Sequence, residues 1–219
     1  KQERQGQMSA FLAGAALAKG DLVCKLDSDD WLLESAIKRI QASWRQHEVN
    51  GLGNCVGLVG LALDSLGNLI GEEFPKHGEL LDYIQMRVIR GVRGDKLEVF
   101  QTSAIKSWIS STSTTVQVPG SAYVLASLAN AGTVLLHLNE AWLVKEYQPN
   151  GLSAERKHRR RWRNRRGYAL VDEQYLAHQD LPPGMRVRLL ARLCYFASVH
   201  FVSQDILGKQ VSYLLRKLV

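Results

Sequence analysis

A short apolar run, Leu22-Val23-Cys24, gives way within three residues to Asp27-Ser28-Asp29-Asp30, three carboxylates in four positions. Upstream, residues 8–18 have the small-residue make-up of a helix, closed by Lys19-Gly20 as a cationic last turn and a glycine stop. Downstream, residues 31–44 resume helical spacing. The pattern predicts helix, strand, acidic turn and helix, with the turn at the edge where open α/β sheets hold their ligands. Three carboxylates at one turn repel one another. A divalent cation relieves the conflict and leaves an open face for phosphate oxygens, as hard oxygen-seeking ions prefer. A plain structural role also suits these residues, because Asp and Ser are favoured N-caps and acids in a first turn complement the helix dipole. The two roles are compatible: Ser28 or Asp29 caps while a carboxylate holds the ion.

With 219 residues the chain can hold one sizeable core, or a core with an appendage. Its 46% hydrophobic and 22% charged residues are those of a soluble globular protein. No stretch approaches eighteen consecutive apolar residues, which excludes a transmembrane helix, and no signal-peptide pattern is present. The chain starts at Lys1 inside a helix-like run, so a truncated N-terminus is expected. Cys24, Cys55 and Cys194 are too few and too far apart for a disulfide framework or a zinc site, and point to a reducing compartment. The net charge of +7 is concentrated: residues 156–166 carry eight Lys or Arg and no acid, which leaves −1 for the rest.

Along the chain, residues 56–63 and 68–74 read as two strands joined by a hairpin at Asp64-Ser65-Leu66-Gly67. Residues 79–92 have helical spacing, residues 97–102 read as a strand, and the Ser/Thr-rich residues 107–118 as a loop. A compact helix is expected over 121–131, strands over 134–138 and 141–147, and a turn at Pro149-Asn150-Gly151. Beyond the basic tract, residues 168–178 and 185–202 look helical. The division expected is a domain over residues 1–153 and a basic, mainly helical region over 154–219.

Four islands in order resemble glycosyltransferase family 2, whose fold is GT-A: Gln5-Gly6-Gln7-Met8-Ser9-Ala10; Ala18-Lys19-Gly20-Asp21 with Leu26-Asp27-Ser28-Asp29-Asp30-Trp31; Gly94-Asp95-Lys96-Leu97-Glu98-Val99; and Leu138-Asn139-Glu140 with Glu146-Tyr147 and Gly151-Leu152-Ser153. The last two are similar to blocks of a bacterial surface-polysaccharide subgroup. The fold implied is α/β: a Rossmann-like nucleotide-sugar domain lacking its first strands, with a helical C-terminal extension.

The resemblance implies an inverting transfer of sugar from a nucleoside-diphosphate donor to a glycan or lipid-linked acceptor, assisted by Mg²⁺ or Mn²⁺. Asp27 would lie near the ribose, Asp29 would hold the metal on the diphosphate, and Asp30 would support the turn. Asp95 and Lys96 fit either an acceptor pocket or a surface turn. In the subgroup the region matching Thr114 to Gly120 carries two acids. Here Thr115 and Gly120 stand in their places, and neither can be a carboxylate base. Glu140 and Glu146 are the candidates left, although Glu140 also suits a solvated strand-edge acid.

His137 and His200, in apolar surroundings, are read as packing residues. The basic tract has three readings: a solvated arm, a contact with anionic lipid anchored by Trp162 at the inner face of the plasma membrane, or a grip on nucleic acid. The last is disfavoured because no nucleic-acid-binding module accompanies it. A cytoplasmic glycosyltransferase is the main reading. The alternative is an inactive remnant that associates with membrane or polyanion through the tract.

Overall fold

The computed structural model describes residues 6–49, 51, 53–112, 120–146 and 164–199. Its centre is a six-stranded mixed sheet of order β1-β5-β3-β6-β2, built from β1 (Leu22–Cys24), β2 (Asp30–Leu32), β3 (Cys55–Asp64), β5 (Lys96–Gln101) and β6 (Val134–Lys145). The sixth strand, β4 (Glu79–Leu81), pairs antiparallel with the first part of β6, and β2 pairs antiparallel with its last part. β3 and β6 run parallel, with three register shifts that curl the sheet.

Helices cover both faces, so the central strand must be apolar on both sides. That is why β3 reads as the unbroken run CVGLVGLAL. Val59 and Leu61 face α1 (Gln7–Leu17), α3 (Thr102–Ser111) and α4 (Ser121–Asn130), in a core with Phe100, Ile105 and Trp108. Leu58 and Ala62 face α2 (Ala36–Val49), with Ile40, Trp44, Leu97 and Trp142. Gly60 is required there: a Cβ would lie 2.2 Å from the indole of Trp142, which is fully buried.

After β4 the chain makes one helical turn at Tyr83 and then a π-helix, Ile84–Ile89. The final pair, α5 (Arg165–Ala177) and α6 (Pro183–Val199), docks on it: Leu176, Leu181 and Leu189 pack against Val88 and Ile89. The Arg186 guanidinium gathers the carbonyls of Leu176, His178, Gln179 and Leu181, which tie off the end of α5.

Several expected elements change. Residues 31–33 are extended, and α2 starts only at Ala36, so neither Ser28 nor Asp29 caps it. Residues 30–32 are drawn out as a strand because they pair antiparallel with residues 143–145 of β6. The Asp64–Gly67 turn forms, with Asp64 Oδ1 accepting the amides of Leu66 and Asn68. Its returning arm forms a single bridge at Leu69, flanked by the Ile70 amide donating to the carbonyl of Ala62 at 2.9 Å, before Gly71 passes beside Gly94. Residues 79–92 divide into β4 and the π-helix instead of one α-helix. Residues 107–111 close α3, since Ile105 and Trp108 fill the core at helical spacing while the serines face outward. The two expected strands over 134–147 are one strand, β6. The turn at 149–151, the tract from Arg156 to Arg163 with Trp162, Thr115 and His200 lie outside the described residues.

Candidate functional site

The acidic turn crosses the end of the sheet. It leaves β1, passes the start of β5 and the ends of β3 and β6, and enters β2. The amide of Asp30 donates to the carbonyl of Asp27 at 3.1 Å, closing a tight turn over Ser28 and Asp29. Register places Asp30 opposite Lys145, and the Lys145 ammonium donates to Asp30 Oδ2 at 2.7 Å. The same ammonium lies 3.9 Å from Asp27 and 3.8 Å from Asp95. Burial alone would lower the pKa of Lys145, but the bond to Asp30 and the charges of Asp95, Asp30 and Asp27 outweigh it, and the net direction is up.

Asp27 is further held by Lys25 and by the amide of Gln7, whose Nε2 donates to Asp27 Oδ1 at 2.6 Å. Helix α1 therefore reaches the turn at its first residue. An open groove of about 490 Å³ runs between α1 and β1, lined by Gln7, Phe11, Val23, Lys25 and Asp27 among others. Asp30 is the buried member of the cluster, its side chain 4% exposed. Asp29 is exposed at the tip of the turn and makes no hydrogen bond or ion pair among the described residues.

The structure thus brings Asp27, Asp30 and Asp95 together around one lysine and sets Asp29 beside them, facing solvent. Lys96 does not join them. Its ammonium points into the fold and donates to the carbonyls of Glu72 at 2.8 Å, Arg93 at 3.1 Å and Ile70 at 3.4 Å, 5.6 Å above the Phe74 ring. Burial first, then Arg87, lower its pKa to about 8. Gly94, at φ 89°, lets this knot form, since a Cβ there would lie 2.0 Å from the carbonyl of Ile70.

Glu140 is also held apart. Its Oε2 accepts from Arg39 Nε at 3.0 Å and from Trp142 Nε1 at 3.2 Å, and it lies five residues back from Lys145 along β6, about 17 Å at strand rise. Its neighbour Asn139 fixes the backbone of Phe74, giving one bond and accepting another at 2.9 and 2.8 Å. Glu146 is exposed just after β6. His137 is a packing residue, buried edge-on to Phe74 at 4.8 Å, with its pKa pushed down to about 4 by burial. Gly120 borders a cavity of about 380 Å³ with Tyr168, Asp172, Tyr175 and Arg192, in which Arg192 grips the buried Asp172 carboxylate.

Lys145 escapes sequence reading because its partners are fifty or more residues away. Only the pairing of β2 with β6 reveals it. The amphipathic faces give no hint either, since a cation at the end of an apolar strand normally marks solvent.

A curled mixed sheet with helices on both faces and an acidic turn across its strand ends is the architecture of a GT-A-like domain. Residues 1–60 match the family model described as Glycosyl transferase family 2, a segment that runs from α1 through the acidic turn and α2 into β3. The first 60 residues of the chain are thus similar to family 2 glycosyltransferases. No curated protein and no solved structure matches it.

Proposed function

We propose that the chain transfers a sugar, with inversion, from a nucleoside-diphosphate donor held at the acidic turn to a saccharide or lipid-linked acceptor. The observation that carries this reading is the division of labour among the carboxylates. Asp27 and Asp30 are fixed by Lys25, Gln7 and Lys145, whereas Asp29 stands exposed and without a partner among the described residues.

This arrangement fits one kind of metal site and not another. No group of three His, Cys, Asp or Glu side chains among the described residues could cage an ion. A Mg²⁺ or Mn²⁺ carried on the donor diphosphate needs only one or two protein carboxylates, the remaining ligands being phosphate oxygens and water. Asp29 would hold it, and the ion would neutralise charge on the departing diphosphate. Asp27 would receive the ribose hydroxyls, with Lys25 and Lys145 fixing the positions of Asp27 and Asp30. The acceptor hydroxyl then attacks the anomeric carbon from the face opposite the diphosphate.

The blocks around Gly94 and Leu138 support a bacterial surface glycan as the acceptor class. The cationic tract at 156–166 supports a peripheral contact with anionic lipid at the cytoplasmic leaflet. Leu26 and Trp31, 46% and 45% exposed beside the turn, add apolar surface for a lipid-linked substrate. No helix among the described residues is long and apolar enough to cross a membrane.

Calorimetric titration of UDP, GDP and dTDP with Mn²⁺ tests the reading, on the wild-type chain and on Asp29→Ala. One nucleotide is expected to bind only with the metal, and at least about a hundredfold more weakly to Asp29→Ala, the loss of one charged ligand contact of about 2.7 kcal/mol. Metal-independent binding, or equal binding by the variant, would sink the assignment of Asp29.

A further inference from the structure

Beneath the acidic turn lies a carboxylate that neither the metal nor the donor contacts use. The register that pairs Cys24 with Val99 sets Glu98 one step past the end of β1, level with Lys25. Alternation along β5 turns it toward the face of Phe100, covered by α1, the π-helix and α4, and away from the face of Leu97 and Val99. Arg87 faces it from the π-helix and Tyr83 from the residue just before that helix, Lys25 from the chain leaving β1, and Asp95 and Lys96 from its own stretch of chain.

Three of these neighbours are committed elsewhere: Lys25 to Asp27, Asp95 to the Lys145 cluster, and Lys96 to backbone carbonyls. No side chain donates a hydrogen bond to Glu98 among the described residues, and the buried Nη1 of Arg87 likewise has no partner there. A half-buried carboxylate and a guanidinium, both with unused hydrogen-bonding capacity, thus sit next to the lysine that holds Asp27. Such groups are costly to leave unpaired unless a substrate completes them.

We propose that Glu98 is the base of this site, taking the proton of the acceptor hydroxyl, and that Arg87 is its positioning residue. The inference rests on the sugar-transfer reading above. As the acceptor oxygen bonds to the anomeric carbon, its proton passes to a Glu98 oxygen. The bond from that carbon to the diphosphate oxygen breaks, and its electron pair leaves with the nucleoside diphosphate. Glu98 then returns its proton to water.

Burial pushes the Glu98 carboxyl up to about 6, against the pull of Arg87, a range suited to a base that works near neutrality. The surroundings also supply an approach. The Tyr83 hydroxyl contacts both Arg87 and Tyr175, and the two tyrosine rings stack at 6.5 Å. Tyr175 lines the cavity at Gly120, so a polar chain runs from Glu98 through Arg87, Tyr83 and Tyr175 to that cavity.

The test uses water as the acceptor hydroxyl and reads nucleoside-diphosphate release with Mn²⁺ from UDP-glucose, UDP-galactose, GDP-mannose and dTDP-glucose. Wild type should hydrolyse one of them with an acid limb near pH 6 in kcat. Glu98→Gln should lose about 10²-fold or more in kcat and the limb with it, while Mn²⁺-dependent binding of the free diphosphate stays within threefold. Glu98→Asp should keep the limb at a reduced rate, a control against misfolding. Arg87→Met should move the limb to higher pH, because the charge that favours ionised Glu98 is gone. Glu98→Gln within threefold of wild type, or an Arg87→Met limb that does not move, overturns the assignment of Glu98. Wild-type nucleotide binding without any release overturns it as well and leaves the donor site standing. Absence of both binding and release removes the sugar-transfer reading, and this inference with it.

Discussion

The acidic turn and the β5 floor beneath it manage buried carboxylates in opposite ways. At the turn, Asp27 and Asp30 are each matched by an ammonium, and one lysine serves three acids. On the floor, Glu98 has charged neighbours but, among the described residues, no side chain that donates a hydrogen bond to it, and burial raises its pKa to about 6. The contrast separates holding from reacting. Paired carboxylates are pinned in one geometry, which suits the support of a bound diphosphate. A lone carboxylate in a half-buried place can change its protonation state, which suits proton transfer.

The strongest way to break this contrast is to remove the shared cation. Lys145→Met keeps the stem and deletes the charge, leaving Asp30, whose side chain is 4% exposed, without its partner. Removing one member of a buried pair costs about 3 kcal/mol, read as a lower urea midpoint at pH 7. The pKa of Lys145 is raised on folding, so its contribution is fully present below the ordinary lysine range and lost only above it. A variant as stable as wild type would mean that strand pairing alone holds the turn.

The opposite substitution on the floor sharpens the contrast, with the opposite sign. The Glu98 carboxyl is raised from 4.5 to about 6, so the folded state binds more protons than the unfolded chain across that window. Stability therefore falls as pH rises through it, by about 2 kcal/mol at 1.36 kcal/mol per unit. Glu98→Gln removes the penalty. Thermal unfolding should show the variant more stable than wild type at pH 8 and equal to it at pH 4. Equal melting temperatures at both values would show that the carboxyl is better solvated than its surroundings indicate.

The two regions also differed in how far they could be read from sequence. The turn was legible because its carboxylates are consecutive and follow a strand-like run, and β1, α1 and α4 lay close to where patterning put them. Its extended exit was not legible, since Asp30-Trp31-Leu32 carries the same apolar spacing as the helix that follows. What makes it a strand is a partner at residues 143–145. The floor is assembled from residues 83–98, where local pattern and tertiary demand disagree. Spacing over 79–92 suggests one helix, yet Glu79 to Leu81 pairs with β6 and the remainder winds as a π-helix. The conspicuous motif residue there, Lys96, serves the backbone, whereas Glu98, two positions on, lies half-buried on the covered face of β5, level with Lys25. Motif spacing located the right segment; only the fold distinguishes which of its charges point at the site.

The smallest effect concerns the remaining candidate base. Glu140 is tied to Arg39, whose side chain is 45% exposed, and to the Trp142 indole, on the α2 side of the sheet. Its pair with Arg39 is of the solvent-screened kind, worth less than about 1 kcal/mol. Arg39→Ala should therefore lower the urea midpoint by no more than that and leave diphosphate release within about threefold of wild type. Glu140→Gln, which keeps an acceptor for the indole, should likewise retain release and its acid limb. A hundredfold loss in Glu140→Gln, with nucleotide binding intact, would instead move the base from β5 to β6. It would require the Arg39 bridge to open during the reaction, because that bridge otherwise keeps the carboxylate engaged and well away from Lys145.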